Sequence, residues 1–183
     1  MRERRHDRDS IVDVALRLLD EYGLPDLTMR RLASELGVQP SAIYWHVESK
    51  QALLAALADR IIGEAAPACD VAGTAGAIRA ALLAHRDGAE VVMSSAALSL
   101  DTQGAHARLR DAFAAEGAAD PDRAARLLLP FVLGHASIVQ QRIQAAQLGA
   151  VDADPATVAD ETASDFAAGV AALVAGSDAP ETT

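Results

Sequence analysis

Apolar residues recur every three or four positions along most of the chain, which is the spacing of an amphipathic α-helix. The first apolar stripe runs over residues 11–22 and stops at Gly23, and glycine commonly ends helices. Thr28 precedes the second stripe as a capping residue, and Gly37 ends it. The pattern therefore predicts two helices separated by a short join.

Two more helices follow with equally short joins. Pro40 fits the first position of a short third helix, and Ser49 is a suitable cap for a fourth helix with leucines and isoleucines. Residues 8–62 are thus predicted to form four helices. Residues 63–76 are rich in Gly, Ala and Pro and break the pattern, which predicts an interdomain connection there.

The C-terminal part is also predicted to be helical. Asp120 caps and Pro121 opens the longest helix, which Pro130 is expected to kink. Asp154 and Pro155 repeat the same start signal for the last helix, and the tail "SDAPETT" behind it is predicted to be frayed. The predicted helices lie at residues 75–86, 89–99, 102–116, 121–148 and 155–176.

The composition supports an all-α fold, because alanine dominates the 51% of residues that are hydrophobic and only 3% are aromatic. No run reaches the roughly 18 apolar residues of a membrane span, and the charged N-terminus lacks the apolar stretch of a secretory signal. Cys69 is the only cysteine, which excludes an intrachain disulfide and fits a reducing cytosol. We therefore expect a cytoplasmic protein with no membrane partner.

The net charge of −10 is unfavourable for loose binding to nucleic acid, but the charge is unevenly distributed. Residues 1–50 hold 8 Arg or Lys and 9 Asp or Glu, whereas residues 51–183 hold 8 and 17. Four arginines cluster within residues 1–8, where a solvated tail and an arm along DNA are equally open interpretations. A locally basic face can still bind DNA in an acidic protein.

A small residue, a glycine and an aliphatic residue follow the spacing of a helix-turn-helix. Ala33 lets the two helices touch, Gly37 allows the positive φ of the turn, and Ile43 points back into the core. Together with the first helix they predict an N-terminal three-helix domain. The second helix of such a motif enters the major groove with its N-terminal residues at base edges.

The leading end and outer side of this helix carry residues that suit contact with DNA. Gln39 can bond adenine, Ser41 can bond a base or a phosphate, and Lys50 can bond a phosphate. Arg30, in the first turn of the preceding helix, can reach guanine. The predicted DNA-contact residues are Arg30, Gln39, Pro40, Ser41, Ala42, Tyr44, His46 and Lys50.

The aromatic pair Tyr44 and Trp45 has two interpretations, DNA contact and core packing. We predict that Tyr44 contacts DNA. We expect Trp45 to pack in a helix junction, because its single N–H needs only one partner there.

The stretch "LTMRRLASELGVQPSAIYWHVESKQALLAALADRII" resembles the DNA-binding domain of the tetracycline repressor family of bacterial regulators. Its signature "IYWHVESKQALL" begins at Ile43, and the resemblance runs over residues 8–62. In the C-terminal part, "LLAHRDGAEVV" and "GHASIV" resemble segments of the tetracycline-binding members of the family. In the first of these, Arg86 and Asp87 are expected to bond to the backbone or to each other. In the second, the family's pocket histidine falls on His135.

The resemblance implies a homodimer in which helices near residues 121–148 and 155–176 form a four-helix bundle. Two recognition helices then lie about one DNA turn apart on an inverted-repeat operator. Residues 1–50 are the implied DNA-binding domain, and residues 51–183 are the implied effector-binding and dimerisation domain. The joining helix 51–62 is the expected lever through which a small organic effector releases DNA. The implied function is a ligand-responsive repressor.

The sequence departs from the tetracycline-binding members at their drug and metal ligands. The corresponding positions hold Ala66, Val92, Ala96 and Ala97, and of the polar set only His135 remains. Alanine and valine cannot ligate a metal, so we expect neither tetracycline–magnesium binding nor another metal site or cofactor. The predicted effector is a different small organic molecule. The predicted effector-pocket residues are Ile78, Leu82, Met93, Gln103, Phe131, His135, Val139 and Arg142.

Four alternatives remain open at this point. Activation instead of repression is the first, because the sign depends on where the operator lies relative to the promoter. His135 is equally well explained as a structural histidine within the bundle. A dimeric DNA-binding protein without an effector fits the same N-terminal motif. A small helical enzyme is disfavoured, because the histidines and acids form no nucleophile–base pattern, metal-ligand spacing or phosphate loop.

Overall fold

The computed structural model describes residues 7–97 and 103–177. Every regular element in these two ranges is a helix, which confirms the predicted all-α fold. The helices are α1 (Arg8–Tyr22), α2 (Met29–Leu36), α3 (Pro40–Tyr44), α4 (Lys50–Gly63), α5 (Val71–Ala84), α6 (Gly88–Ala97), α7 (Gln103–Ala115), α8 (Pro121–Gln147), α9 (Val158–Glu161) and α10 (Ala163–Ser177).

The predicted caps account for where most helices begin and end. The side chains of Thr28 and Ser49 accept hydrogen bonds from the backbone N–H groups of the first turns of α2 and α4. Asp120 does the same for α8, where Pro121 occupies the first turn. Gly23 and Gly37 end α1 and α2 with φ of 83° and 67°. Positive φ values cost other residues more conformational free energy than they cost glycine.

Helices α1–α3 form a small N-terminal unit, called the head below, and helices α5–α10 form the body. Within the head, α2 packs on α1 and on α3, and α4 runs from α1 of the head to α5, α6 and α7 of the body. Within the body, α8 is central and contacts α5, α6, α7, α9 and α10. The head and body share one continuous cluster of buried apolar side chains, so α4 joins them through packed contacts.

Two predicted helix boundaries were wrong. The connection predicted over residues 63–76 is shorter, because Asp70 caps α5 by accepting the backbone N–H of Gly73 at 2.6 Å. Asp154 does not cap the last helix. Its carboxylate accepts the N–H of Ala156, two residues on, which closes a turn, and the helical segments begin later at Val158 and Ala163.

Several sequence predictions fall outside the described part of the chain. These are the frayed tail after Ser177 and the arginines at positions 2, 4 and 5. Pro130 lies inside α8, as predicted, and the kink stays a prediction. Among the described residues, no helix combines the length and the apolar character that a membrane crossing requires.

Candidate nucleic-acid interface

The turn between α2 and α3 has the geometry of a helix-turn-helix. Ala33 is buried where the helices meet. The N–H of Val38 donates a hydrogen bond to the carbonyl of Ala33 at 3.0 Å. Gly37 adopts the left-handed conformation, and its N–H donates to the carbonyl of Ser34. Ile43 is buried on the facing side. The three residues singled out by spacing therefore have the predicted roles.

Two buried side chains anchor the short helix α3 and leave the rest of it exposed. Ile43 and Val47 are both buried, and the carbonyl of Ile43 accepts the N–H groups of His46 and Val47 at 2.9 Å. Gln39 occupies the N-cap position of α3, but its side-chain amide makes no capping hydrogen bond. Of the eight predicted DNA-contact residues, seven are exposed and Lys50 is half-buried.

Trp45 corrects the sequence interpretation, because it is 88% exposed and does not pack in the core. It lies two residues after Ile43 and two before Val47. On a helix of 3.6 residues per turn, a residue two positions away points about 200° around the axis, so both anchors direct Trp45 outward. Together with Tyr44, which is 48% exposed, it places two aromatic rings on the outer surface of the head. The spacing of Ile43, Trp45 and Val47 in the sequence already indicated an exposed tryptophan.

The two adjacent arginines at the start of α2 have different surroundings. The guanidinium of Arg31 lies 4.1 Å from the ring centroid of Tyr22 and 3.8 Å from the Asp26 carboxylate. These contacts hold Arg31 against the end of α1. Arg30 is exposed beside it. Of the pair, Arg30 is the more exposed, as its predicted contact with a base requires.

The predicted effector-pocket residues differ in how far they are exposed. Ile78, Leu82 and Val139 are buried in the core of the body. Met93 is exposed, and the side chain of Gln103 lies outside the described part of the structure. The eight residues therefore stay a prediction.

Phe131 and His135 of α8 belong to an aromatic cluster with Phe166 of α10. The rings of Phe131 and Phe166 stack with centroids 5.7 Å apart, and the His135 ring meets Phe166 edge-on at 5.0 Å. Gly169 of α10 makes room for Phe131, because a Cβ at this position would overlap its ring. The cluster thus fixes α10 on α8.

Arg79 of α5 ties this aromatic cluster to a third helix. Its Nε lies 3.4 Å from Nδ1 of His135, and its Nη2 donates to the carbonyl of Ala159 and to Oγ1 of Thr162 at 2.7 and 2.9 Å. Burial and the charge of Arg79 lower the pKa of His135, which favours the neutral ring that can accept this bond. The remaining predicted residue of this region, Arg142, pairs with Glu161 at 3.6 Å.

Two surface cavities of the body have a size that suits small molecules. One, between α5 and α10, measures about 550 Å³ and has a mostly apolar lining that includes Phe166, Val170 and Glu116. The other measures about 350 Å³ and is lined by Ala66 and Arg108, among others. None of the eight predicted effector residues lines either of these two cavities.

Residues 85–87 join α5 to α6 and also bond to the head. Oδ2 of Asp87 accepts the N–H of Leu24 at 2.8 Å, and Arg86 donates to the carbonyl of Glu21 at 3.2 Å. The expected bonds from Arg86 and Asp87 to backbone groups are therefore present. Their partners, which lie more than sixty residues earlier in the chain, were not predicted.

The described residues contain no group of three or more His, Cys, Asp or Glu side chains placed to hold a metal ion. The arrangement that stands out is instead an exposed, aromatic-bearing short helix on a three-helix head, joined to a larger helical body. That architecture binds major grooves in helix-turn-helix proteins.

Comparison with known proteins identifies relatives of this architecture. Residues 11–57 match the model of the tetR family of bacterial regulatory proteins. Tetracycline repressor protein class D of Escherichia coli is 42% identical over 97 residues, which are 48% of this chain and 44% of that repressor. The alignment with this repressor therefore spans less than half of its length.

Three solved structures match over nearly the whole chain. BioQ with its natural double-stranded DNA operator is 35% identical with a TM-score of 0.78, and the match covers 96% of this chain and 100% of BioQ. A variant of TetR from Acinetobacter baumannii AYE, in complex with minocycline, is 28% identical with a TM-score of 0.73, over 94% and 96%. A possible TetR family transcriptional regulator from Streptomyces coelicolor A3(2) is 35% identical with a TM-score of 0.70, over 93% of this chain and 98% of that one. Since this similarity extends over both the head and the body, the chain belongs to the tetR family of bacterial regulatory proteins.

Proposed function

We propose that this protein is a ligand-responsive transcriptional repressor that binds an inverted-repeat operator in double-stranded DNA as a homodimer. A small organic effector releases it from the operator. The observation that carries the proposal is the outer surface of α3, where Tyr44 and Trp45 are exposed while Ile43 and Val47 anchor the helix from inside. BioQ, which matches over its full length, was solved with its DNA operator.

DNA recognition follows from what these exposed groups offer. Gln39 presents an amide that can pair with adenine, and Ser41 presents a hydroxyl to a base or a phosphate. Tyr44 ends α3, Trp45 follows it and Lys50 begins α4, where rings and an ammonium group suit the sugar–phosphate backbone. Since the net charge of the chain is −10, these local contacts must outweigh a general repulsion between protein and DNA.

A dimer face is available on the outer side of α8. Leu127 and Ile138 are 52% and 68% exposed, and Gly134 lies between them in the helical register of the same face. The neighbouring surface of α10 carries exposed alanines, which allow close approach of a second helix. Pairing α8 and α10 with the same helices of a second copy buries this apolar stripe and sets two heads in a fixed arrangement.

Effector release requires that the ligand prefer a body conformation that disturbs the spacing of the heads. A coupling of about 1–3 kcal/mol corresponds to roughly 5–150-fold in operator affinity, and it acts equally on ligand affinity. The lever is α4, because it packs on α1 of the head and on α5, α6 and α7 of the body. The complex of the related TetR variant with minocycline supports a small molecule as the effector. Ala96 and Ala97, at positions of the drug and metal ligands, favour a different ligand here.

The proposal is tested by selecting duplexes from a random DNA pool with the purified full-length protein. We expect enrichment of an inverted repeat bound by two copies of the chain. Replacing Tyr44→Ala should weaken binding to the selected duplex by about 1–3 kcal/mol without unfolding the protein. Recovery of no preferred sequence, or of a single half-site bound by one copy, would contradict the proposal. A library of small molecules is then screened for loss of operator binding.

A further inference from the structure

His85 lies where three parts of the molecule meet. It follows the last turn of α5, and its side chain is only 12% exposed. Its Nδ1 lies 3.0 Å from Oδ2 of Asp20, near the end of α1 in the head. Its Nε2 lies 2.8 Å from Oε2 of Glu64, the residue that follows α4. One imidazole ring therefore connects the head, the end of the lever helix and the body.

Both ring nitrogens face a carboxylate, and this arrangement has a definite protonation state. A carboxylate can only accept, so each nitrogen must carry a proton to make its bond. A neutral imidazole has one proton, and the lone pair of its other nitrogen would then face an anion. Only the imidazolium form satisfies Asp20 and Glu64 at the same time.

The charges around the ring favour this state. Burial acts against the charged form, but the hydrogen bonds and negative charges of Glu64 and Asp20 outweigh it and raise the pKa of His85 above 6.5. Arg86, next in the chain, is the cation nearest in sequence, and its guanidinium points to the carbonyl of Glu21. Asp87 adds a carboxylate that is engaged with Leu24. From α8, the polar groups that reach this turn are the uncharged amides of Gln140 and Gln144.

The turn that carries His85 is fixed to the central helix of the body. Gln140 donates to the carbonyls of Leu82 and His85 at 2.9 and 2.7 Å, and its Oε1 accepts the N–H of Ala89 at 3.0 Å. Gln144 donates to Asp87. Because these bonds fix the turn to α8, a bond from His85 to Asp20 restrains the head relative to the body.

We propose that His85 is a protonation-dependent positioning residue, which as imidazolium clasps Asp20 and Glu64 and holds the head in the orientation that binds the operator. The inference rests on the proposed function, since its consequence is a change in operator affinity. Loss of the proton breaks one of the two bonds and frees either the head or the end of α4. Operator affinity therefore falls as the pH rises.

The direction of the effect follows from preorganisation. Both recognition helices must occupy successive major grooves, so a mobile head loses conformational freedom when DNA binds. A clasped head has already lost that freedom. By linkage, DNA binding must then favour the protonated clasp as strongly as protonation favours DNA binding.

The first test is a titration of the free protein by NMR, which needs no DNA. The chain has five histidines, and the His85 signal is assigned by its loss in His85→Gln. We expect the His85 pKa to lie above 6.5 and to fall in Asp20→Asn and in Glu64→Gln. Glu90→Gln, which removes an exposed carboxylate of α6 that does not bond to His85, should leave it unchanged. A His85 pKa at or below 6.5 would overturn the clasp.

The second test measures affinity for the selected duplex between pH 6 and 8.5 at constant ionic strength. We expect the wild type to weaken about five- to tenfold as His85 deprotonates, a coupling within the usual range. His85→Gln should bind weakly across the range with a flatter profile, because glutamine donates one bond and does not titrate. His85→Arg, which is always charged, should restore tight binding with a flat profile. His46→Asn controls for the exposed histidine near α3, and the His85 contribution should persist in it.

The outcomes separate the two proposals. Equal pH profiles for the wild type and His85→Gln, with operator binding intact, would refute the clasp and leave the proposed function standing. Tighter binding at high pH in the wild type, lost in His85→Gln, would refute the stated direction. Failure to select any duplex at any pH would refute the proposed function and, with it, the role of His85 in operator binding.

Discussion

Asp87 offers the sharpest test of how the head is attached to the body. It is 8% exposed and has φ of 56°, the one positive φ among the non-glycine residues in the described ranges. Its carboxylate accepts the backbone N–H of Leu24 from the head and the side-chain amide of Gln144 from α8. A single side chain therefore connects two elements that are distant in the sequence, from a backbone conformation that most residues avoid.

Three substitutions separate these contributions to the free energy of unfolding. Asp87→Ala removes both bonds and retains a Cβ in the left-handed region. Hydrogen bonds to a charged group contribute about 1.5–3 kcal/mol each when buried, and the partly exposed Gln144 regains water, so we expect a loss of about 3 kcal/mol. Asp87→Gly removes the same bonds but relieves about 1 kcal/mol of backbone strain. Asp87→Asn keeps an oxygen for Leu24 and tolerates the conformation but loses the bond from Gln144, so it should cost about half as much as Asp87→Ala.

The assay is urea unfolding of the three variants at a fixed protein concentration, because the proposed dimer makes stability depend on concentration. Hydrogen exchange of the Leu24 amide gives a local readout and should speed up in the Ala and Gly variants but not in Asn. Equal losses for Ala and Gly would show that the backbone at residue 87 is not strained. A loss for Asn as large as for Ala would show that the charge, rather than an acceptor for Leu24, matters.

Three further predictions concern the exposed aromatic residue, the dimer face and the histidine clasp. Trp45→Ala should weaken operator binding by about 1–3 kcal/mol in gel-shift titrations. Leu148→Ala, which also truncates a highly exposed side chain, should leave operator binding unchanged. Equal effects of the two substitutions would contradict a role for the Trp45 ring. Ile138→Asp should convert the proposed dimer to monomers in sedimentation experiments. Ala114→Asp, on the exposed side of α7, should leave the dimer intact. A dimeric Ile138→Asp variant would show that the interface does not include this face of α8. Because the folded-state pKa of His85 is raised, its stabilisation is fully present below the unfolded value near 6.5 and is lost as the pH rises through the folded value. The stability difference between wild type and His85→Gln should therefore shrink between acidic and alkaline pH, and a difference that grows would contradict the raised pKa.

The head was predictable because its geometry is encoded within short stretches of sequence. The caps Thr28 and Ser49 act on backbone groups three residues away, and Gly37 ends α2 by a conformation that the residue type itself favours. Ala33 and Ile43 meet across a turn of fixed length. Each of these relations spans at most ten residues, so periodicity and spacing were enough to identify them.

The failures arose where a local signal had more than one structural outcome. Asp154 followed by Pro155 resembles a helix start, but an aspartate can close a turn on its own backbone as readily as it caps a helix. Trp45 was assigned to a helix junction because its single N–H needs only one partner there. Its register relative to Ile43 and Val47 decides the matter, because Trp45 follows α3 directly with a helical backbone conformation, and register there is a stronger guide than residue type.

The contacts that attach the head to the body could not be predicted from the sequence, because they join distant residues. The pairs His85–Asp20 and Asp87–Leu24 join residues about sixty-five positions apart, and nothing in the neighbourhood of either partner indicates the other. Such contacts depend on how α1, α4 and α5 are packed together. The motif "HRDG" marked the turn as polar, but only the three-dimensional arrangement shows that it bonds to the head.

The same turn also connects the predicted effector region with DNA recognition. Leu82, one of the predicted effector residues, is buried in α5, and its carbonyl accepts a bond from Gln140 of α8. The same amide group of Gln140 also donates to the carbonyl of His85, whose side chain reaches the head. A ligand that separates α5 from α8 near Leu82 must therefore strain or break the bonds that hold the His85 turn. The head would then be released through α1 as well as through α4, so mutation of Gln140 should weaken the effector response more than it weakens effector binding.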